Sequence, residues 1–211
     1  PAKGGVLQGS TEVCKNTNHG EITLVNYSGN VFSWEKSTPQ TNWTVFAPQT
    51  ETRAVYSNIS DTTYFRVIVN NGVCGFDTSS MASVYINPLP VADFTFDTVF
   101  TGNYTSFTNQ SSIAAGTITD AYWTFGTGHY SIETSPAYQY NDAGTYVANL
   151  TVTSNKNCTG AIAKEVLVYP VSTIDFSFSN VCLNDSMKFT NTSSVIGEEI
   201  NYHWTFGNDL G

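Results

Sequence analysis

Three blocks of this sequence return further along it at nearly the same offset. Ala92-Asp93-Phe94-Thr95-Phe96 is echoed by Ile174-Asp175-Phe176-Ser177-Phe178. Phe107-Thr108-Asn109-Gln110-Ser111-Ser112 is echoed by Phe189-Thr190-Asn191-Thr192-Ser193-Ser194. Tyr122-Trp123-Thr124-Phe125-Gly126 is echoed by Tyr202, His203, Trp204-Thr205-Phe206-Gly207. Phe94 to Phe176 and Phe107 to Phe189 are both 82 residues, and Trp123 to Trp204 is 81. Blocks that stay in register over half a repeat mark a tandem duplication, and a unit of this size is one small domain.

The first copy covers about residues 91–170 and the second residues 171–211. A unit cut in mid-course cannot bury its own apolar face, so the natural chain is expected to continue past Gly211. Residues 1–90 form a separate unit of similar length and different wording. Pro88-Leu89-Pro90 and Tyr169-Pro170 mark the junctions. Proline holds the residue before it in an extended conformation, so both joints are expected to be short and stiff.

Within the complete copy, alternation of polar and apolar residues predicts strands at 92–96, 105–109, 121–125, 137–140, 146–153 and 163–169. Gly126-Thr127-Gly128 and Asn141-Asp142-Ala143-Gly144 interrupt them as turns. Short strands with turn signals every 8–12 residues are the pattern of an immunoglobulin-type sandwich. Trp123 falls where such a sandwich buries a tryptophan, and Asp142 to Tyr146 has the form of a tyrosine corner. The expected fold class is all-β, a tandem of immunoglobulin-like β-sandwiches.

Composition agrees. Charged residues are 12% of the 211, about half the usual share, while aromatics reach 14%. With a net charge of −9 and eight Lys and Arg in all, there is no basic patch to displace phosphate counterions, which excludes nucleic acid. An anionic bilayer would repel the chain, and no apolar run is long enough to span one. The four cysteines, Cys14, Cys74, Cys158 and Cys182, lack metal-ligand spacing and read either as extracellular disulfide partners or as buried thiols.

The complete copy resembles a PKD (polycystic-kidney-disease type) domain, through Trp123-Thr124-Phe125-Gly126-Thr127-Gly128 and Gly144-Thr145-Tyr146-Val147. Trp204 and Gly207 carry the same motif into the partial copy. The resemblance implies one departure: the aspartate usual between the two glycines is Thr127 here, and the partial copy reads Gly207-Asn208-Asp209. Cation binding through that aspartate is therefore not expected in the complete repeat. Residues 1–90 resemble the immunoglobulin-like modules that stand beside PKD domains in secreted bacterial surface proteins. That likeness runs through Cys14, Tyr27-Ser28-Gly29, Trp34, Trp43, Thr62 to Val67 and Gly72-Val73-Cys74. It implies a Cys14–Cys74 disulfide, a crosslink over roughly 60 residues that contributes about 4 kcal/mol on a chain-entropy argument. By the repeat offset Cys182 aligns with Phe100, so neither Cys158 nor Cys182 is expected to bond within these residues. The domain boundaries that follow are 1–90 (Ig-like), 91–170 (PKD) and 171–211 (the first half of a second PKD repeat).

No constellation of residues carries catalysis. His19, His129 and His203 lie in or beside turns without a nucleophile elbow, and Glu198-Glu199 would point apart on an extended strand. No D-x-D-x-D-G loop is present, and a Ca²⁺ site at a domain junction is the one cofactor left open. Asn-x-Ser/Thr triplets at Asn26, Asn42, Asn58, Asn103, Asn149 and Asn191 follow from composition. Asp61-Thr62-Thr63, Asp97-Thr98-Val99 and Asp185-Ser186-Met187 resemble the O-glycosylation signal of secreted Bacteroidota proteins, with Thr62, Thr98 and Ser186 as acceptors. The expected function is a non-catalytic segment of a long extracellular adhesin or surface fibre, resembling the adhesins of gliding Bacteroidota exported by type IX secretion. Its partners would be surface polysaccharide, secretion components and neighbouring repeats. The alternative is an accessory spacer or carbohydrate-binding module of a secreted polysaccharidase or protease, with Trp43, Tyr130 and Tyr138 as the aromatics a glycan would use.

Overall fold

The structure, a computed structural model, describes residues 1–39, 42–47, 50–195 and 201–207, apart from the side chains of Ala47 and Cys74. The pair Glu198-Glu199 and the positions Asn208 and Asp209 lie outside the described residues. Every regular element described is a strand except a single 3-10 turn at Gly72–Cys74.

Nine strands come first: β1 (Val6–Gln8), β2 (Thr11–Cys14), β3 (His19–Val25), β4 (Asn30–Ser37), β5 (Thr44–Ala47), β6 (Arg53–Ser57), β7 (Thr63–Asn70), β8 (Phe76–Thr78) and β9 (Ala82–Asn87). They form a β1-β3-β6 sheet and a larger β2-β9-β7-β4-β5 sheet, with β8 against β7. Strand period dictates which side chains go inward. In β7, Thr63, Phe65, Val67 and Val69 are buried while the residues between them are half-exposed. One core joins Leu7, Ile22, Leu24 and Tyr56 of the smaller sheet to Trp34, Phe65, Val67, Val69 and Val84 of the larger. Each such side chain contributes about 1.5–3 kcal/mol by leaving water. The buried indole of Trp34 keeps its donor satisfied at the Glu51 carbonyl, 2.8 Å away.

The chain changes sheets between β1 and β2, where Gly9 has φ +111° and a Cβ would stand 2.4 Å from the Glu21 carbonyl oxygen. Only glycine fits that crossing. β2 then runs parallel to β9, Thr11 beside Val84 through Cys14 beside Asn87.

Eight further strands follow: β10 (Phe94–Phe96), β11 (Val99–Phe100), β12 (Tyr104–Asn109), β13 (Ile118–Thr124), β14 (Tyr130–Ser131), β15 (Ala137–Gln139), β16 (Gly144–Ser154) and β17 (Thr159–Tyr169). They make a β10-β12-β15 sheet and a β11-β17-β16-β13-β14 sheet. Phe94, Phe107, Trp123, Phe125, Tyr140, Leu150, Val152 and Val166 are fully buried. By internal contacts the chain forms two compact units, neither of them continuous in sequence. One is Pro1–Ala92, Ser111–Asp120 and Thr151–Gly160; the other is Asp93–Gln110, Ala121–Leu150 and Ala161–Gly211.

The duplication is as exact in space as in wording. β10 pairs β12 with Phe94 opposite Asn109 and Phe96 opposite Phe107. The last two strands, β18 (Phe176–Phe178) and β19 (Phe189–Asn191), pair with Phe176 opposite Asn191 and Phe178 opposite Phe189. The isolated bridge Val91–Ser112 recurs as Thr173–Ser194. Asp93 accepts from the Phe94 amide at 2.8 Å, and Asp175 does the same for Phe176. The aromatic rings differ in cover, since Phe94 and Phe125 are buried whereas Phe176 and Phe206 are 49% and 57% exposed, and in one stack, Trp204 lying on Phe206 where Phe125 lies on Tyr138.

Candidate functional site: the Cys14–Cys158 junction

Cys14 closes β2, and the chain turns immediately through Lys15-Asn16-Thr17, with Asn16 in the left-handed region at φ 62°. Asparagine tolerates that conformation better than other non-glycine residues. Buried Asn18 braces the turn. Its Nδ2 donates to the carbonyls of Cys14 (2.7 Å) and Ile59 (2.8 Å), and its Oδ1 accepts from the Ile59 amide (2.9 Å). These bonds satisfy backbone groups next to the core, where the Ile59 carbonyl also accepts from the Asn16 amide at 3.2 Å.

Cys158 sits at the end of the β16–β17 turn, 1% exposed. Buried Ser154 organises that turn: its Oγ accepts from the amides of Lys156 (3.3 Å) and Cys158 (3.2 Å), and its own amide donates to the Cys158 carbonyl (2.9 Å). Asn157 supplies the left-handed residue, at φ 59°. The two cysteines are bonded, with Cα atoms 5.5 Å apart and a separation of 144 in sequence.

This corrects the Cys14–Cys74 pairing, because a sulfur already bonded to Cys158 has no valence left for Cys74. It equally corrects the expectation that Cys158 stays unbonded. Cys182 is free and exposed.

Two further contacts flank the bond. Lys156 Nζ meets Glu12 Oε2 at 2.6 Å, and this contact holds the Glu12 carboxyl below the ordinary glutamate range, with a lesser contribution from Asn87. Gly160 approaches so closely that a Cβ there would stand 2.0 Å from the Pro90 carbonyl oxygen. A shallow cleft of about 430 Å³ beside the disulfide is lined by Val13, Asn18, His19, Leu89 and Asn157 among others. It has no paired acid and base, and among the described residues no group of three or more His, Cys, Asp or Glu could hold a metal ion.

The other singled-out residues build turns. Trp123 is fully buried and donates from Nε1 to the Glu133 carbonyl at 3.0 Å. Gly126 has φ +77° with Val147 backbone atoms 2.9–3.0 Å from where a Cβ would be, while Gly128 has φ +86° and open space around it. Thr127, in the place of the usual aspartate, shares a 2.6 Å hydrogen bond with the Tyr138 hydroxyl. The Tyr146 hydroxyl donates to the Asp142 carbonyl at 3.1 Å, which is a tyrosine corner. Tyr140, between Tyr138 and Tyr146, has its phenol pushed well above the usual range, by burial first and by its tyrosine neighbours second. Trp204 is half-buried against Phe176 and Phe189, and Gly207 is exposed.

The aromatics named for glycan contact are committed differently. Trp43 carries the Arg66 guanidinium 4.2 Å above its ring, and Tyr138 stacks on Phe125 at 4.1 Å. Tyr130 is exposed and stacks on Tyr122 at 5.6 Å. Of the glycosylation candidates, Thr98 and Ser186 are exposed, whereas Thr62 is half-buried and its Oγ1 accepts from the Ile86 amide at 3.2 Å.

Paired sheets of mostly antiparallel strands, a buried tryptophan on an inner strand and a tyrosine corner define an immunoglobulin-like β-sandwich protein. The PKD domain family matches residues 87–169, and a domain of unknown function (DUF8696) matches residues 3–88. The chain is 35% identical to the PKD1 domain of Epp from Vibrio anguillarum, covering 39% of this chain and 95% of that one, with a TM-score of 0.37. It is 34% identical to the PKD1 domain of the Vibrio cholerae metalloprotease PrtV, covering 38% and 96%, with a TM-score of 0.36. A structure of carbohydrate-binding modules from the β-sandwich superfamily is 27% identical over 44% of each chain, TM-score 0.38. No curated protein matches the chain. Residues 87–169 therefore form a PKD-family domain within an all-β, immunoglobulin-like chain. PKD domains and an intramolecular disulfide are both typical of extracellular proteins. No helix among the described residues is long and apolar enough to cross a membrane.

Proposed function

We propose that this chain is a non-catalytic segment of a large multi-repeat extracellular adhesin or surface fibre, of the kind that gliding Bacteroidota export by type IX secretion, in which these sandwiches set length and carry tension. The observation that supports this reading is the repeat itself. Residues 173–194 reproduce the bridge and the strand register of residues 91–112, and Phe176 meets Trp204 as Phe94 meets Trp123, which is how a chain is extended by repeating modules. The disulfide adds to it, since it ties the residues matched by one family to those matched by the other.

The test is the composition of the native polypeptide, read by intact mass and peptide sequencing. Many further repeats of about 80 residues without a hydrolase domain are expected. A polypeptide built around a polysaccharidase or protease domain would overturn the adhesin reading and make these sandwiches its spacer.

A further inference from the structure

The disulfide has a mechanical consequence set by where its two cysteines stand. Cys14 is the last residue of β2, and Cys158 immediately precedes β17, the strand that leads to Tyr169-Pro170 and the next repeat. Between them in sequence lie most of the core of the first sandwich, including Trp34, Phe65 and Val67, and most of the second, including Phe94, Trp123 and Leu150.

We propose that Cys14–Cys158 is a tension shunt: a pull along the chain crosses the sulfur–sulfur bond and bypasses residues 15–157. This rests on the tension-carrying reading given above. A chain pulled at both ends stretches along its shortest covalent path, and that path runs through residues 1–14, the disulfide, and residue 158 onward. The hydrogen bonds and apolar contacts that the bypassed residues make among themselves then carry no load. β17 stays in the path and is pulled from both of its ends. It is an 11-residue strand, lying between β16 and β11 in its sheet, so its ladder bonds are loaded along the strand direction together.

The backbone bonds around Asn18 and Ser154 and the Glu12–Lys156 ion pair hold the two cysteines where the bond can form.

The experiment holds the 211-residue chain by its two ends in an optical trap, oxidised, then with a phosphine reductant present, and then as the Cys14→Ser/Cys158→Ser variant. Full unfolding of reduced molecules should release about 500 Å more contour than that of oxidised ones, from 144 residues at about 3.5 Å each. Oxidised and reduced molecules releasing the same contour would overturn the proposal. Should the variant fail to fold, a non-reducing proteolytic map of the unmutated chain decides instead. A peptide pair joining Cys14 to Cys158 supports the shunt, and its absence removes it. Both readouts use this chain alone, so they stand or fall separately from the composition of the native polypeptide.

Discussion

The ring of Phe94 meets the indole of Trp123 edge-on at 5.1 Å, and Phe176 meets Trp204 in the same geometry at 5.4 Å. Identical contacts sit in different surroundings, since Trp123 is fully buried and Trp204 only partly. Truncating a buried tryptophan leaves a cavity as well as losing transfer energy, about 3–5 kcal/mol together. Trp123→Ala is therefore expected to cost that much, and Trp204→Ala much less, in urea unfolding followed by circular dichroism.

Removing the disulfide restores chain entropy to the unfolded state. For a loop of 144 residues the chain-entropy argument gives about 5 kcal/mol, and natural disulfides removed from small domains cost roughly 2–5. Cys14→Ser and Cys158→Ser are expected to lower the thermal midpoint equally, and the double variant no further. Cys182→Ser should leave it unchanged, because that thiol is free and exposed. Scanning calorimetry without reductant checks all four.

Glycine substitutions separate lack of space from backbone conformation. Gly160→Ala puts a methyl group against the Pro90 carbonyl, which neither side can yield without moving backbone. A loss of about 2 kcal/mol or more is expected. Gly128→Ala meets nothing within 4 Å and bears only the left-handed conformation, about 1–2 kcal/mol. Gly126→Ala bears both penalties and should exceed Gly128→Ala in the same denaturation series.

Acid is expected to destabilise the fold through named carboxylates. Lys156 holds Glu12 low, Arg53 holds Glu21 low, the amides of Gly4 and Thr78 hold Asp77 low, and Lys164 with the Phe94 amide holds Asp93 low. A carboxyl depressed in the folded state stabilises fully above its unfolded pKa, and that stability is lost as pH falls through the folded value. The thermal midpoint should hold from neutrality down to about pH 5 and fall below about pH 4. Lys164→Ala should make that fall shallower, by releasing Asp93; a profile as steep as the parent's would contradict the assignment.

Much of this protein is local in origin and so could be read from its sequence. Alternation within strands places Phe65, Val67 and Val69 inward without knowledge of what faces them, because a strand's period is a property of its own backbone. The left-handed turn at Gly126 and the Asp142–Tyr146 corner lie within a few residues of sequence and fall in the same category. One resemblance of wording also carries structural weight. Val13-Cys14 and Asn16 match Val181-Cys182 and Asn184, and both asparagines are left-handed.

The disulfide was not legible in that way. Cys14 and Cys74 share a module-sized stretch of sequence, and pairing within a stretch is the reading that local wording favours. Only the tertiary structure brings the β16–β17 turn, 144 residues on, to the end of β2. A covalent bond between distant residues depends on Cα atoms standing 5.5 Å apart, and no periodicity, motif or composition encodes that distance. The sequence by itself determined an all-β chain of repeated sandwiches, because strand period, turn residues and duplication are properties of neighbouring residues. Which cysteines meet, and hence which residues a pull along the chain would reach, was decided by packing, which sums over contacts that lie far apart in the chain.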